Sequence, residues 1–165
     1  MTPARRERKQ NRARRTGLAV ALALLGTAAP ALASLTQRVV VDWHSGLAID
    51  GFDPVAFFTD GHPELGNGNF ELRHAGAVWR FVNSGNRAAF AERPDVYMPQ
   101  YGGYDPVGVA RGVAVPGNPQ LWVIVGERLF LFYDGAQRGK FLSNPARFLA
   151  TSERRWPNVR NSLDP

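Results

Sequence analysis

The sequence predicts a small α+β domain, and three observations predict it. A block near residue 51 returns near residue 103, apolar runs are broken by two-residue turns, and Asp-Pro or Asn-Pro pairs open short helices. Gly51-Phe52-Asp53-Pro54-Val55 recurs as Gly103-Tyr104-Asp105-Pro106-Val107, an offset of 52. Phe81, Arg87, Phe90 and Pro94 are matched by Phe132, Arg138, Phe141 and Pro145, an offset of 51. The expectation is two similar hairpin-helix halves related by a pseudo-twofold, their four strands available for one small antiparallel sheet packed by short helices.

Each half should run through the same elements. Asp followed by Pro suits a helix start, with Asp as cap and Pro where a missing N–H costs nothing, so short helices are expected at 54–59 and 106–111. A hairpin follows in each half. Phe70–His74 and Val78–Val82 flank Ala75-Gly76, and Leu121–Val125 and Leu129–Tyr133 flank Gly126-Glu127, the second pair being the more apolar. Ser84 is expected to cap a helix to about Glu92, and Asp134 one to about Ser143, each stopping before a proline. Phe90 and Phe141 should point into the core. Asn144-Pro145 opens a last helix that carries Phe148, Leu149 and Trp156 and ends at Pro157. Segments 61–69 and 112–120, rich in Gly, Pro and Asn, read as loops. Trp79, Trp122 and Trp156 are expected to fill core.

Charge is unevenly placed. The chain carries a formal charge of +6, and residues 1–15 alone hold seven basic residues against Glu7, which accounts for all of it. The remainder is balanced, so nucleic acid is not an expected partner, because phosphate binding needs a local excess of Lys and Arg. Behind the basic stretch, Leu18 to Leu25 is apolar, and Pro30-Ala31-Leu32-Ala33-Ser34 closes the segment. This order is that of a secretory signal over 1–33, cut after Ala33, with an uncleaved anchor as the alternative; no stable membrane span is expected after cleavage. A leader at 34–45, a domain at 46–157 and a tail at 158–165 would follow, in a periplasmic or secreted protein. Arg14-Arg15 leaves the twin-arginine and general export routes both open. The chain has no cysteine, so disulfides, thiolate ligands and thiol chemistry are excluded.

Asp53-Pro54-Val55, Trp79-x-Phe81, Arg87-x-x-Phe90-x-x-x-Pro94-x-x-Tyr97 and Tyr101-Gly102-Gly103-Tyr104 together resemble the YHS domain, over residues 46–157. The resemblance is to exported single-domain bacterial members, and it implies a metal-binding module. Such members carry cysteines where this chain has Ala56 and Gly108, Val82 and Asn86, and Tyr133 and Gln137. At the place where exported relatives often keep Cys or selenocysteine, this chain has Asp105.

With sulfur absent, only oxygen and imidazole groups could hold a divalent ion. His44, His62 and His74 are the candidate metal ligands, although no local spacing pairs them. Asp53 and Asp105 have ordinary roles as helix caps, and Asp105 with Tyr101 and Tyr104 is the candidate small-ligand site, Asp53 lending a second carboxylate. No catalytic motif is present: there is no Gly-x-Ser-x-Gly, phosphate loop or His-Glu-x-x-His. Two functions remain open. One is an exported module binding a metal ion or small ligand of unknown identity; the other is a structural module that lost its ligands and engages an envelope protein.

Overall fold

A computed structural model describes residues 39–163. The expected signal segment lies outside them. The described chain has the α+β class, with two antiparallel hairpins and six helices among the described residues.

Each half opens on a tight left-handed turn. Ile49, Asp50 and Gly51 have φ of 42°, 54° and 80°, and Tyr101, Gly102 and Gly103 have 55°, 64° and 91°. Three successive left-handed residues cost roughly 1–2 kcal/mol for each that has a Cβ, so surrounding contacts must hold them. Those contacts are visible and repeated. Gly66 N–H donates to Gly51 C=O and Gly117 N–H to Gly103 C=O, both at 2.9 Å. Asp53 N–H donates to Glu64 C=O and Asp105 N–H to Val115 C=O, both at 2.8 Å.

Helices α1 (Ala56–Thr59) and α4 (Pro106–Arg111) come next, as expected. The hairpins are β1 (Asn67–His74) with β2 (Ala77–Phe81), and β3 (Asn118–Val125) with β4 (Arg128–Phe132). Their two-residue turns fall at Ala75-Gly76 and Gly126-Glu127, all four residues at positive φ, as hairpin turns of this length require. Both first strands begin inside the expected loops, at Asn67 and Asn118. Each asparagine side chain accepts an N–H two residues on, from Asn69 or Gln120, and each marks the same slip in register.

The four strands do not join into one sheet. They form two separate two-stranded sheets that meet through side chains. Leu129 and Leu131 of β4 pack into a core with Trp79 and Phe81 of β2 and Phe57 of α1, while Phe130 and Phe132 face a second core with Phe141. That two-sided burial replaces the hydrogen bonds of a continuous sheet.

Helix α2 (Ser84–Glu92) is capped by Asn83, one residue before the expected Ser84, because the Asn83 carboxamide accepts the Asn86 N–H at 2.8 Å. Asp134 caps α5 (Gly135–Ser143) as expected, through the Gln137 N–H. Pro94 opens a one-turn helix, α3 (Pro94–Tyr97), and its counterpart Pro145 opens α6 (Pro145–Asn161). α6 continues past Pro157, where the sequence suggested an end. Proline removes one helical hydrogen bond there, and Val159, 3% exposed, anchors the turn beyond it. Residues ahead of position 46 also pack onto the fold. Val39 is 2% exposed in the first core, and Val40 donates its N–H to Gly102 C=O.

Candidate functional site

The two Asp-Pro aspartates hold the most constrained polar side chains in the fold. Asp53 and Asp105 are both 0% exposed. One Asp53 oxygen accepts the Val55 N–H at 2.8 Å; the other accepts the Val82 N–H at 2.9 Å and the Asn86 side-chain amide at 2.7 Å. Asp105 accepts the Val107 N–H at 2.7 Å and the Gly108 N–H at 3.0 Å on one oxygen, and the Tyr133 N–H at 2.9 Å on the other. Each carboxylate therefore ties the start of a helix to the residue just past a hairpin. Capping, the ordinary role, accounts for one oxygen of each; the tie across 28 or 29 residues of chain was not legible in the sequence.

The expected Asp105, Tyr101 and Tyr104 pocket is not formed as an open cleft. Tyr101 and Tyr104 are 7% and 6% exposed and pack against Trp156 of α6, with ring centroids 5.6 and 6.2 Å away. Burial raises both phenol pKa values above the usual 10. At Tyr101 the nearby Arg128 opposes that rise. The Tyr101 hydroxyl makes no hydrogen bond of good geometry, although Ser152 and Arg128 lie close enough to act on it. Ser152 itself donates to Pro106 C=O at 2.7 Å and fastens α6 to α4.

The three imidazoles are dispersed among different partners. His44 Nδ1 stands 3.8 Å from Asp42, His62 Nδ1 stands 3.3 Å from Glu64, and both histidines are exposed. His74 ends β1 and meets the Phe90 ring edge-on at 5.8 Å. No group of three His, Asp or Glu side chains converges among the described residues. Near His44, Asp42 is held below the usual carboxylate range by the Ser45 hydroxyl and N–H, whereas burial pushes Asp50 upward.

Sequence reasoning missed three features, two of which the repeat could have signalled. Gly66-Asn67 and Gly117-Asn118 match at the offset of the hairpins, and Ile49-Asp50-Gly51 matches Tyr101-Gly102-Gly103 at the offset of the Asp-Pro blocks. A Cβ on Gly66 would lie 2.5 Å from the Arg80 backbone carbon, and one on Gly117 2.6 Å from Leu131 Cβ, so both glycines are required by close approach. The third feature is a cleft of about 460 Å³ where the halves meet, lined by Phe58, Arg93, Val96, Tyr97, Ile124 and Glu127.

Among the described residues no helix is long and apolar enough to cross a membrane. A scan of protein-family models matches no family, and searches of curated proteins and of solved structures return no match.

Proposed function

We propose that this chain is an exported, YHS-like module that presents its surface to another protein of the cell envelope and does not carry a metal ion. The observation behind this reading is the saturation of Asp53 and Asp105 by donors from their own chain. Four of the six positions at which the resemblance sets cysteines donate to these carboxylates. Val82 and Asn86 donate to Asp53, while Gly108 and Tyr133 donate to Asp105. Hydrogen bonds fill the places where coordination bonds would form. Turning Asp105 toward an ion would strip three amides of their acceptor, at about 1–3 kcal/mol for each. The imidazoles offer no substitute, since each stands with a different neighbour. Side chains suited to a protein contact lie elsewhere: Trp43 is 80% exposed and Leu65 is 64% exposed.

The test pairs two measurements. Titration calorimetry of the purified protein with Cu(II), Zn(II) and Ni(II) should give no stoichiometric heat, and the metals should leave the melting temperature unchanged. Crosslinking in intact cells from a photoreactive residue at Trp43 or Leu65 should give one defined adduct with an envelope protein. One-to-one heat that disappears in a folded Asp105→Asn variant would overturn the reading in favour of metal binding.

A further inference from the structure

Helices α4 and α6 pack side by side, fastened where the Ser152 hydroxyl donates to Pro106 C=O. Between the end of α4 and the first turns of α6 opens a groove of about 220 Å³, lined by Ala110, Arg111, Arg147, Phe148 and Thr151. Two arginines therefore share one small groove, and two more stand at its rim. Arg154 Nη2 donates to Thr151 Oγ1 at 3.4 Å, and Arg155 Nη1 lies 3.3 Å from the place a Cβ would take on Gly112, the residue after Arg111.

No carboxylate of this half answers that charge. Asp105 is occupied by backbone donors, Asp134 caps α5, Glu153 pairs with Arg128 at 2.9 Å, and Glu127 lines the other cleft. Among the described residues none of the four arginines is in an ion pair.

Structural duty does not account for both groove arginines. A cation at a helix C-terminus complements the helix dipole, which covers Arg111. Arg147 is the third residue of α6, where the dipole opposes a cation, and the first turn holds no acidic residue to offset it. The repeated frame calls for neither. At offsets of 52 and 51, Phe58, Thr59, Val96 and Tyr97 match Ala110, Arg111, Arg147 and Phe148. Phe58, Val96 and Tyr97 line the 460 Å³ cleft. A cleft thus recurs at matching places, with uncharged residues where the second half has Arg111 and Arg147.

Like charges crowded into a groove raise its free energy, and a bound anion relieves it. The guanidinium fork selects the anion. A carboxylate has one pair of oxygens and satisfies one fork, whereas a phosphomonoester brings three terminal oxygens and a charge near −2, enough for forks from α4 and α6 together. We infer that the α4–α6 groove binds a phosphomonoester, of a soluble compound or of a lipid headgroup, gripped by Arg111 and Arg147 with Arg154 and Arg155 adding charge at the rim. The inference goes beyond the proposed function and stands without it, because Trp43 and Leu65 take no part.

Calorimetry of the purified chain with inorganic phosphate, at neutral pH and low ionic strength, should show one-to-one binding with a Kd below about 1 mM. Arg111→Gln and Arg147→Gln should each weaken it at least about tenfold, while Arg138→Gln, which removes the same charge outside the groove, should change it less than about twofold. Phosphate should raise the melting temperature of the starting chain and of Arg138→Gln, and of neither groove variant; the same melts show whether those variants fold. Flotation separates the two sources. Vesicles of phosphatidylcholine with phosphatidic acid should carry the chain, and not Arg147→Gln, if the phosphate belongs to a lipid; heat with phosphate and no flotation assigns a soluble compound. No heat up to about 10 mM phosphate together with no flotation overturns the inference. So does binding that Arg138→Gln weakens as much as Arg147→Gln.

Discussion

The two hairpins share one backbone plan and bury different amounts of it. Their registers slip at the same place, Asn67 to Glu71 in one and Asn118 to Trp122 in the other. Yet β2 buries alternate residues, Ala77, Trp79 and Phe81, whereas β4 buries Leu129 to Phe132 without a break. Glu71, Arg73 and Arg80 of the first hairpin stand where the second has Trp122, Ile124 and Leu131. Charge follows the same division: residues 39–100 hold eight acidic and four basic residues, and residues 101–163 hold four and eight. The difference teaches that backbone geometry here is fixed by a few recurring anchors, namely the buried Asp, the left-handed turn and the close-packed Gly. Side-chain chemistry on top of that frame answers only to what lies against each face. From Leu129 to Phe132 β4 has a core on both sides and carries no charge, its one charged residue being Arg128 at the strand's start; β2 has a core on one side only.

The sharpest way to break this comparison is at the anchors. Asp105→Asn should cost about 3–5 kcal/mol in a urea melt, because the new amide nitrogen faces backbone donors that cannot rearrange. Asp53→Asn should cost a similar amount, because whichever way its new amide turns, the backbone N–H of Val55 or of Val82 is left facing the NH2 group. A clearly smaller loss at Asp53 would mean that the backbone there can move to relieve the clash, and the two anchors would then differ in rigidity.

A second pair concerns the close-packed glycines. Gly66→Ala and Gly117→Ala each push a Cβ into the neighbouring strand, and both should destabilise by about 1–3 kcal/mol. The larger loss is expected at Gly117. Leu131 is enclosed by the first core and cannot yield, whereas β2 at Arg80 can shift toward solvent. The opposite order in paired thermal melts would show that β2 is no freer than β4.

How much of this was legible in the sequence depends on the range of the interaction. Turns, caps and helix starts are set by neighbours a few residues away, so Ala75-Gly76, Asp134 and Asn144-Pro145 stood in the sequence to be read. The α+β class followed from them. Asn83 was passed over for Ser84 because both are good caps, and only the geometry shows which oxygen reaches the free N–H. The candidate site was less legible. Asp105 was read as a cap and as part of a site with Tyr101 and Tyr104, but its tie to Tyr133 was not read, because that donor lies 28 residues away and leaves no local pattern. The separation of the two sheets also depends on packing between halves, which no periodicity within one half can reveal.

Alkaline titration probes the second half alone. Tyr101 and Tyr104 stand where the first half has Ile49 and Phe52, and burial raises both phenol pKa values. The folded chain therefore holds these protons more tightly than the unfolded chain does. The associated stability is fully present below about pH 10 and is lost as pH rises through the folded values. Tyr101→Phe with Tyr104→Phe should flatten the alkaline limb of a stability-against-pH curve and leave the acid limb unchanged. An unaltered alkaline limb would place the sensitivity elsewhere.

The smallest effect isolates the hairpin turns. Ala75 has φ of 50° and Gly76 of 81°, so a residue with a Cβ occupies the first left-handed position of a turn that favours Asn-Gly. Asparagine tolerates that conformation better than alanine, and Ala75 is exposed, so the exchange disturbs no packing. Ala75→Asn should raise stability by about 0.5–1 kcal/mol, read as a higher urea midpoint at unchanged slope. The second turn reverses the order, with Gly126 first and Glu127, at φ of 58°, second. Glu127→Gly would relieve strain there but would also remove a side chain that lines the cleft where the halves meet. The first turn therefore measures the conformational cost alone: if Ala75→Asn leaves the midpoint where it was, a left-handed residue with a Cβ costs these turns too little to matter.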